Sequence, residues 1–174
     1  MGFGDIEKVS ASLSTFKPLP PPPGQTYEPA NDSAVLSVRF QNGAHGTIYV
    51  SRVVHLGNWK QYISVNGDKG ILELSYSEQK INTIWGAQTH EDKITKLAPL
   101  KHLYEGIDQT KTGLDLFMEL LTKQPLGDRL FVDSIYNDEP AKPDFYDCLK
   151  AQRVVDAAFE ADRTGKWVSI KDGT

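Results

Sequence analysis

Cysteine is almost absent from this sequence, because Cys148 is the only one among 174 residues. A single thiol excludes an intrachain disulfide and any metal or redox motif that needs paired cysteines, and it fits a reducing compartment. The chain also lacks the run of about 20 apolar residues that a membrane helix requires. Because Met1 to Phe16 contains no apolar signal-peptide core, we expect a cytoplasmic protein without a membrane partner.

A concentrated basic patch is also missing. The 19 lysines and arginines are scattered among 23 acidic residues, which gives a net charge of -4. Nucleic acids and anionic membranes need a clustered basic surface, so neither is expected as a main partner. Hydrophobic residues make up 39% of the chain, enough for a real core, and the length predicts a single domain over residues 1–174.

The glycine-rich motifs of nucleotide sites do not occur. There is no G-x-G-x-x-G, and Gly2 and Gly4 precede a predicted strand rather than a helix, so we expect no dinucleotide site in this chain. The P-loop, the G-x-S-x-G elbow and H-E-x-x-H are absent too. No metal site is predicted, because metal-ligand spacing is missing from His45, His55, His90 and His102.

Alternating apolar and polar residues predict strands in the first two thirds of the chain. Turn pairs at Asn42-Gly43 and within Asn66-Gly67-Asp68-Lys69 separate successive strands. Because hairpins join strands that run in opposite directions, the sequence predicts an open, mostly antiparallel sheet. The predicted strands cover residues 9–16, 35–40, 47–54, 62–65, 70–74, 81–85 and 94–97.

The last third changes to helical spacing. One helix is predicted around Leu114 to Leu121 and ends before Pro125. A longer helix is predicted to start after an N-cap at Asp144 and to stop at Gly165, followed by a short closing strand over residues 167–170. One face of this helix is formed by Phe145, Leu149, Gln152, Val155 or Asp156, and Phe159. Strands followed by helices on one face of the sheet give an α+β fold.

A proline-rich segment interrupts the strands at residues 17–33 and includes Pro18 and Pro20 to Pro23. Such a run favours polyproline II, so one interpretation is a ligand for an SH3-type domain. The favoured interpretation is a stiff surface loop that joins two strands of the same sheet, because the strand pattern resumes at Ala34.

One cluster of residues has the chemistry of a ligand site. Arg52 and His55 lie at the end of a predicted strand, and Trp59 and Lys60 follow shortly after. A cationic donor, an imidazole and an indole can together hold a sugar or polyol through hydrogen bonds and stacking. The alternative is an ordinary strand end, with Arg52 in a salt bridge and Trp59 partly buried.

Several stretches, in order along nearly the whole chain, resemble the C-terminal domain of the Gfo/Idh/MocA family, the glucose-fructose oxidoreductase and inositol dehydrogenase group. They are LSTFKP at 13–18, Asn31-Asp32, RFQNGAHGTIYVSRVVH at 39–55, ISVNGDKGILEL at 63–74 and PDFYDCLKAQRVVDAAFEADRTGKWVSI at 143–170. The resemblance implies a partner Rossmann domain that binds NAD or NADP. It also implies hydride transfer at a sugar, polyol or related compound, and a homo-oligomer formed through the open sheet face.

The resemblance extends to candidate site residues. Arg52 and His55 match the family's SR-x-x-H stretch, and Lys17 ends its predicted strand, so all three are predicted to bind substrate. Glu7-Lys8 precedes Val9 instead of the proline of the family's catalytic Glu-Lys-Pro motif. The family's Asp/His pair is expected before Met1. We therefore predict no catalytic residues here.

Two hypotheses follow. In the first, the chain is the substrate-side and oligomerisation domain of a longer NAD(P)-dependent oxidoreductase and is not catalytic alone. In the second, it is a stand-alone module that self-associates or binds carbohydrate without enzymatic activity. In the simplest form of both hypotheses, the chain is a folded remnant with no activity.

Overall fold

The computed structural model describes residues 4–18, 20–27, 29–53, 60–77, 80–98, 101–103, 105–108, 110–111, 113–124 and 127–170. The chain divides into two compact units, one made of Met1–Val54 with Pro143–Thr174 and the other of His55–Lys142. A single domain over residues 1–174 stays a prediction.

Eight strands and three α-helices form the described elements. The strands are β1 (Ile6–Ser14), β2 (Ser33–Phe40), β3 (His45–Ser51), β4 (Lys60–Gly67), β5 (Gly70–Ser77), β6 (Lys80–Gln88), β7 (Thr95–Leu97) and β8 (Val168–Ser169). The helices are α1 (Gly113–Lys123), α2 (Asp128–Asn137) and α3 (Phe145–Thr164), and a short 3-10 turn covers Lys101–Leu103. None of these described helices has both the length and the apolar content needed to span a bilayer.

The first unit is a four-stranded antiparallel sheet with α3 packed on one face. Its strand order is β3-β2-β1-β8, and the predicted closing strand is confirmed as β8, which pairs with β1. The buried core joins Val9, Leu36 and Val38 of the sheet to Ala157 and Ala158 of α3. Small alanine side chains let the helix backbone approach the sheet closely, which makes this packing dense.

The boundaries of α3 are those predicted, but the face with Phe145 that the sequence pattern indicates is not the face that is buried. Asp144 accepts hydrogen bonds from the Tyr146 and Asp147 amides at 2.8 and 3.0 Å, and Asp147 accepts the Asp144 amide at 2.9 Å. Gly165 ends the helix with a positive φ of 65°. The face with Phe145 is not the packing face, because Phe145 is 92% exposed while alanines fill the narrow space above the sheet.

The proline-rich segment joins two neighbouring strands. β1 and β2 pair antiparallel with Ser14 opposite Ser33, so residues 15–32 form the connection between them. The segment is thus a connection between two strands of one sheet, and Pro18 and Pro20 to Pro23 within it are exposed.

The second unit contains a separate four-stranded antiparallel sheet in the order β4-β5-β6-β7. The α+β class and the antiparallel pairing are therefore confirmed, with the described strands shared between two sheets. The hairpin at 66–69 is also confirmed, since Gly67 lies opposite Gly70. Sequence reasoning missed α2, because it starts after Gly127 without a side-chain cap and buries none of its residues.

Candidate functional site

Three strand ends meet at one end of the first unit's sheet. β1 and β3 flank β2 and run opposite to it, so both end where β2 begins. Ser14, Ser33 and Ser51 lie side by side across this row. Lys17 follows the end of β1, and Arg52 follows the end of β3, which brings these two predicted site residues to the same end of the sheet.

Asp32 connects these strand ends. Its carboxylate accepts the Phe16 amide at 3.0 Å on each oxygen and the Lys17 amide at 2.7 Å. Its own amide donates to the Ser14 carbonyl at 3.0 Å, and its carbonyl accepts the Arg52 amide at 2.7 Å. A single residue thus contacts the backbone of both cationic candidates.

The hydrogen bonds around Asp32 keep its carboxylate ionised. The Phe16 amide contributes most to a lowered pKa of Asp32, the Lys17 amide and ammonium lower it further, and burial opposes them. Amide donors favour the charged form of a carboxyl group because they stabilise its negative charge. Asp32 is therefore a fixed anion with both oxygens in use.

The side chains of Lys17 and Arg52 are exposed. Within the residues that the structure describes, neither side chain has a hydrogen bond or salt bridge, so the alternative in which Arg52 is held in a salt bridge finds no support there. His55 and Trp59 lie outside the described residues, and Lys60 opens β4 in the second unit. Of the three predicted site residues, the structure thus brings two together.

Two further polar residues form hydrogen bonds to the β1 segment. Asp162 of α3 accepts the Leu13 amide at 2.9 Å, and Asn31 donates to the Thr15 hydroxyl at 3.3 Å. Sequence reasoning noted Asn31-Asp32 only as part of a resemblance and did not assign a role to Asp32. The available signal was an aspartate just before a strand, a residue type that often accepts nearby backbone amides.

A second polar cluster lies in the second unit and is centred on Glu119. This side chain is 5% exposed and forms ion pairs with Lys111 and Lys123 at 2.6 and 2.5 Å, and it accepts the Asp108 amide at 3.1 Å. Lys123 also donates to the Gly106 carbonyl at 2.6 Å. The Lys111 hydrogen bond contributes most to lowering the pKa of Glu119 to about 2. This cluster therefore connects Gly106, Asp108 and Lys111 to α1.

In the described part of the chain, no three His, Cys, Asp or Glu side chains are placed to hold a metal ion.

Comparison with protein families decides the relationship. Residues 3–170 match the model described as the oxidoreductase family, C-terminal alpha/beta domain, of Gfo/Idh/MocA proteins. The chain belongs to the Gfo/Idh/MocA family. This match confirms the resemblance and assigns the chain to the C-terminal domain of those oxidoreductases. No curated protein sequence matches it.

Solved structures share the fold of this Gfo/Idh/MocA domain. A levoglucosan dehydrogenase in complex with NADH and levoglucosan has a TM-score of 0.77 at 21% identity, covering 97% of this chain and 46% of its own. An oxidoreductase domain protein from Kribbella flavida has a TM-score of 0.73 at 22% identity, covering 96% and 46%. The WlbA dehydrogenase from Bordetella pertussis, in complex with NADH and UDP-GlcNAcA, has a TM-score of 0.61 at 19% identity, covering 98% and 43%. The chain thus spans less than half the length of these relatives.

Proposed function

We propose that this chain is the substrate-side and oligomerisation domain of an NAD(P)-dependent oxidoreductase that acts on a sugar, polyol or related compound. Family membership over residues 3–170 supports the reaction class. The solved relatives crystallised with NADH together with levoglucosan or UDP-GlcNAcA support the cofactor and the substrate class. A cytoplasmic location belongs to the same proposal and is supported by the single cysteine, Cys148.

The observation that carries the substrate role is the meeting of Lys17 and Arg52 around Asp32. A guanidinium offers five N–H donors and an ammonium three, and sugar hydroxyls accept such bonds. Both side chains are exposed, and neither forms a hydrogen bond or salt bridge among the residues that are described. In this proposal they orient substrate hydroxyls, and His55, which lies outside the described residues, stays a prediction from the sequence.

The N-terminus of α3, the longest described helix, does not fit a dinucleotide. A pyrophosphate site uses free amides at a helix N-terminus that follows a strand and a glycine-rich turn. At the N-terminus of α3, the Tyr146 and Asp147 amides are already bound by the Asp144 carboxylate, and the Asp147 carboxylate adds a second negative charge. We therefore place NAD or NADP binding, and with it catalysis, in another part of the full-length protein.

Self-association is assigned to the sheet of the second unit. Across its four strands, Ile63, Leu74, Ile84 and Leu97 stand opposite one another. Ile63 is 56% exposed and Leu72, in the next row, is 47% exposed. The corresponding outer face of the first sheet is rich in serine, including Ser10, Ser12 and Ser37. An apolar sheet face of this kind needs cover, and a second copy of the chain would supply it.

A stand-alone carbohydrate-binding or self-associating module is the second candidate, because the exposed Lys17 and Arg52 side chains do not require another domain. The genomic DNA before Met1 separates the two candidates. An open frame leading into a glycine-rich strand-turn-helix supports the longer oxidoreductase, while a nearby in-frame stop codon supports the module.

Binding measurements test the substrate role directly. We expect the melting temperature to rise by roughly 5 °C with a saturating sugar or polyol from a broad panel. The rise should be lost in the double variant Lys17→Ala and Arg52→Ala, and kept in the control Lys8→Ala, which changes a lysine within β1. We expect no saturable fluorescence change with NADH or NADPH. A panel without any shift in melting temperature would contradict the substrate role. Saturable NADH binding would contradict the proposal that the cofactor binds in another part of the full-length protein.

A further inference from the structure

The residue between Lys17 and Arg52 has a role that the proposed substrate site needs. Resting on that proposed function, we infer that Asp32 is a positioning residue, which fixes the backbone from which both cationic side chains reach the ligand. Its carboxylate holds the Phe16 and Lys17 amides, and its peptide group holds Ser14 and Arg52. No other described residue forms hydrogen bonds with the backbone of both cations.

The connection between β1 and β2 explains why such a residue is needed. Ser14 and Ser33 are direct partners, yet residues 15–32 intervene and contain the proline-rich run. Closing a long connection costs conformational entropy, and loops of this length in compact domains are usually functional. Asp32 binds the start of the connection from its far end. The Asn31 to Thr15 hydrogen bond supports the same closure.

The geometry also separates positioning from proton transfer. Both carboxylate oxygens of Asp32 accept backbone amides, at 2.7 to 3.0 Å. The amides of Phe16 and then Lys17 lower the pKa of this group, so Asp32 remains charged and offers no proton at neutral pH. Its effect on a ligand therefore passes through Lys17 and Arg52.

Asp162 provides a matched control. Like Asp32, it is an aspartate whose carboxylate accepts an amide from the β1 segment, in this case that of Leu13 at 2.9 Å. It makes no hydrogen bond to Lys17 or Arg52 among the described contacts. Asp162→Ala thus removes a comparable bond from the same sheet without releasing the cations.

The experiment compares the whole chain with its Asp32→Ala, Asp32→Asn and Asp162→Ala variants. Amide hydrogen exchange is followed by NMR at Phe16, Lys17 and Arg52, and affinity is measured for the sugar or polyol that gives the largest thermal shift. Asp32→Ala removes the carboxylate that accepts the Phe16 and Lys17 amides but keeps the backbone carbonyl that accepts the Arg52 amide. We therefore expect the protection of Phe16 and Lys17 to fall on the order of tenfold, and the affinity to fall by a similar factor. Asp32→Asn keeps one acceptor oxygen, so its protection and its affinity should lie between those of wild type and Asp32→Ala. Asp162→Ala should leave the affinity unchanged.

The outcomes distinguish the two claims. If Phe16 and Lys17 keep their protection in a folded Asp32→Ala variant, or if the ligand binds that variant as tightly as wild type, the positioning role is overturned. Should Asp32→Ala fail to fold, Asp32→Asn is judged by the same two criteria. If wild type binds no ligand while Lys17 loses protection in the variant, Asp32 orders the end of β1 and the proposed substrate site is wrong.

Discussion

The ammonium nitrogen of Lys111 lies 2.6 Å from a carboxylate oxygen of Glu119, whose side chain is 5% exposed. Lys123 binds the other oxygen from the next turn of α1, and the Asp108 amide adds a third donor. A carboxylate removed from water in this way is stable only while its donors remain, because a buried charge without partners is costly. We therefore expect this cluster to stabilise α1 and the residues bound to it.

Replacing Glu119 should destabilise the chain. Glu119→Gln removes the charge that two ammonium groups share and leaves them facing each other, so we expect the melting temperature to fall by roughly 5 °C or more. The control Asp133→Asn removes an exposed pair with Arg129, in which the two side chains are 39% and 65% exposed, and should shift it by less than about 2 °C. Calorimetry of both variants at neutral pH provides the measurement. Equal falls in melting temperature would show that the Glu119 ion pairs contribute no more to stability than the exposed Asp133–Arg129 pair.

The same cluster predicts a dependence on pH. Hydrogen bonds from Lys111 and Lys123 lower the pKa of Glu119 from 4.5 to about 2. A carboxyl with a depressed folded pKa contributes its full stability above its unfolded value and loses it as pH falls through the folded value. The difference in melting temperature between wild type and Glu119→Gln should thus be constant above about pH 5 and shrink towards pH 2. A difference that does not change over this range would contradict the assignment.

The β4–β5 hairpin predicts a sharp contrast between two glycines. A Cβ atom at Gly70 would lie 2.0 Å from the Ala87 carbonyl oxygen, and its φ is 141°. A Cβ atom at Gly67 would have no heavy atom within 4 Å. We expect Gly70→Ala to cost more than about 2 kcal/mol in the free energy of unfolding and Gly67→Ala less than about 0.5 kcal/mol. Urea denaturation of the two variants tests this, and similar costs would refute the packing described for β5 and β6.

The packing face of α3 can be tested in the same way. Ala158 lies on the side of α3 that packs against the sheet and is 4% exposed. Ala158→Leu should therefore lower the free energy of unfolding by about 1–3 kcal/mol through overpacking. Phe145 is 92% exposed, and Phe145→Ala should change stability by less than about 0.5 kcal/mol. A larger loss of stability from Phe145→Ala than from Ala158→Leu would indicate that α3 packs through the face with Phe145, as the sequence pattern indicates.

The proposed contact between two copies predicts a change in oligomeric state. Ile63→Lys with Leu72→Lys puts two charges on the apolar face of the second sheet, where a dimer could not bury them without a large cost. We expect light scattering at micromolar concentration to show a dimer or larger species for wild type and a monomer for the double variant. Ser64→Lys, on the opposite face, serves as the control and should leave the oligomer intact. A monomeric wild type would refute the interface.

Local chemistry made much of this fold predictable. Asn42-Gly43, the 66–69 turn, Asp144 and Gly165 each act within a few residues, so their effect can be read without knowing distant partners. The face of α3 could not be predicted from local pattern, because alanine contributes little to an apolar stripe and its value lies in close approach to the sheet. Two of the predicted site residues, Lys17 and Arg52, share a sheet end. Asp32, which connects them, depends on contacts between three strands that the sequence alone does not reveal.

The pairing of β1 with β8 sets an order for folding during synthesis. Ile170 donates its amide to the Glu7 carbonyl at 2.8 Å, so the first strand receives its last partner only after nearly all described residues have been made. The segment His55–Lys142, by contrast, has its own sheet and leaves the ribosome earlier. Its short-range hairpins can therefore form while β1, β2 and β3 still wait for α3. If synthesis stalled before α3, Val9 and Val38 of the nascent chain would be left uncovered. We expect chaperones to bind this exposed apolar face.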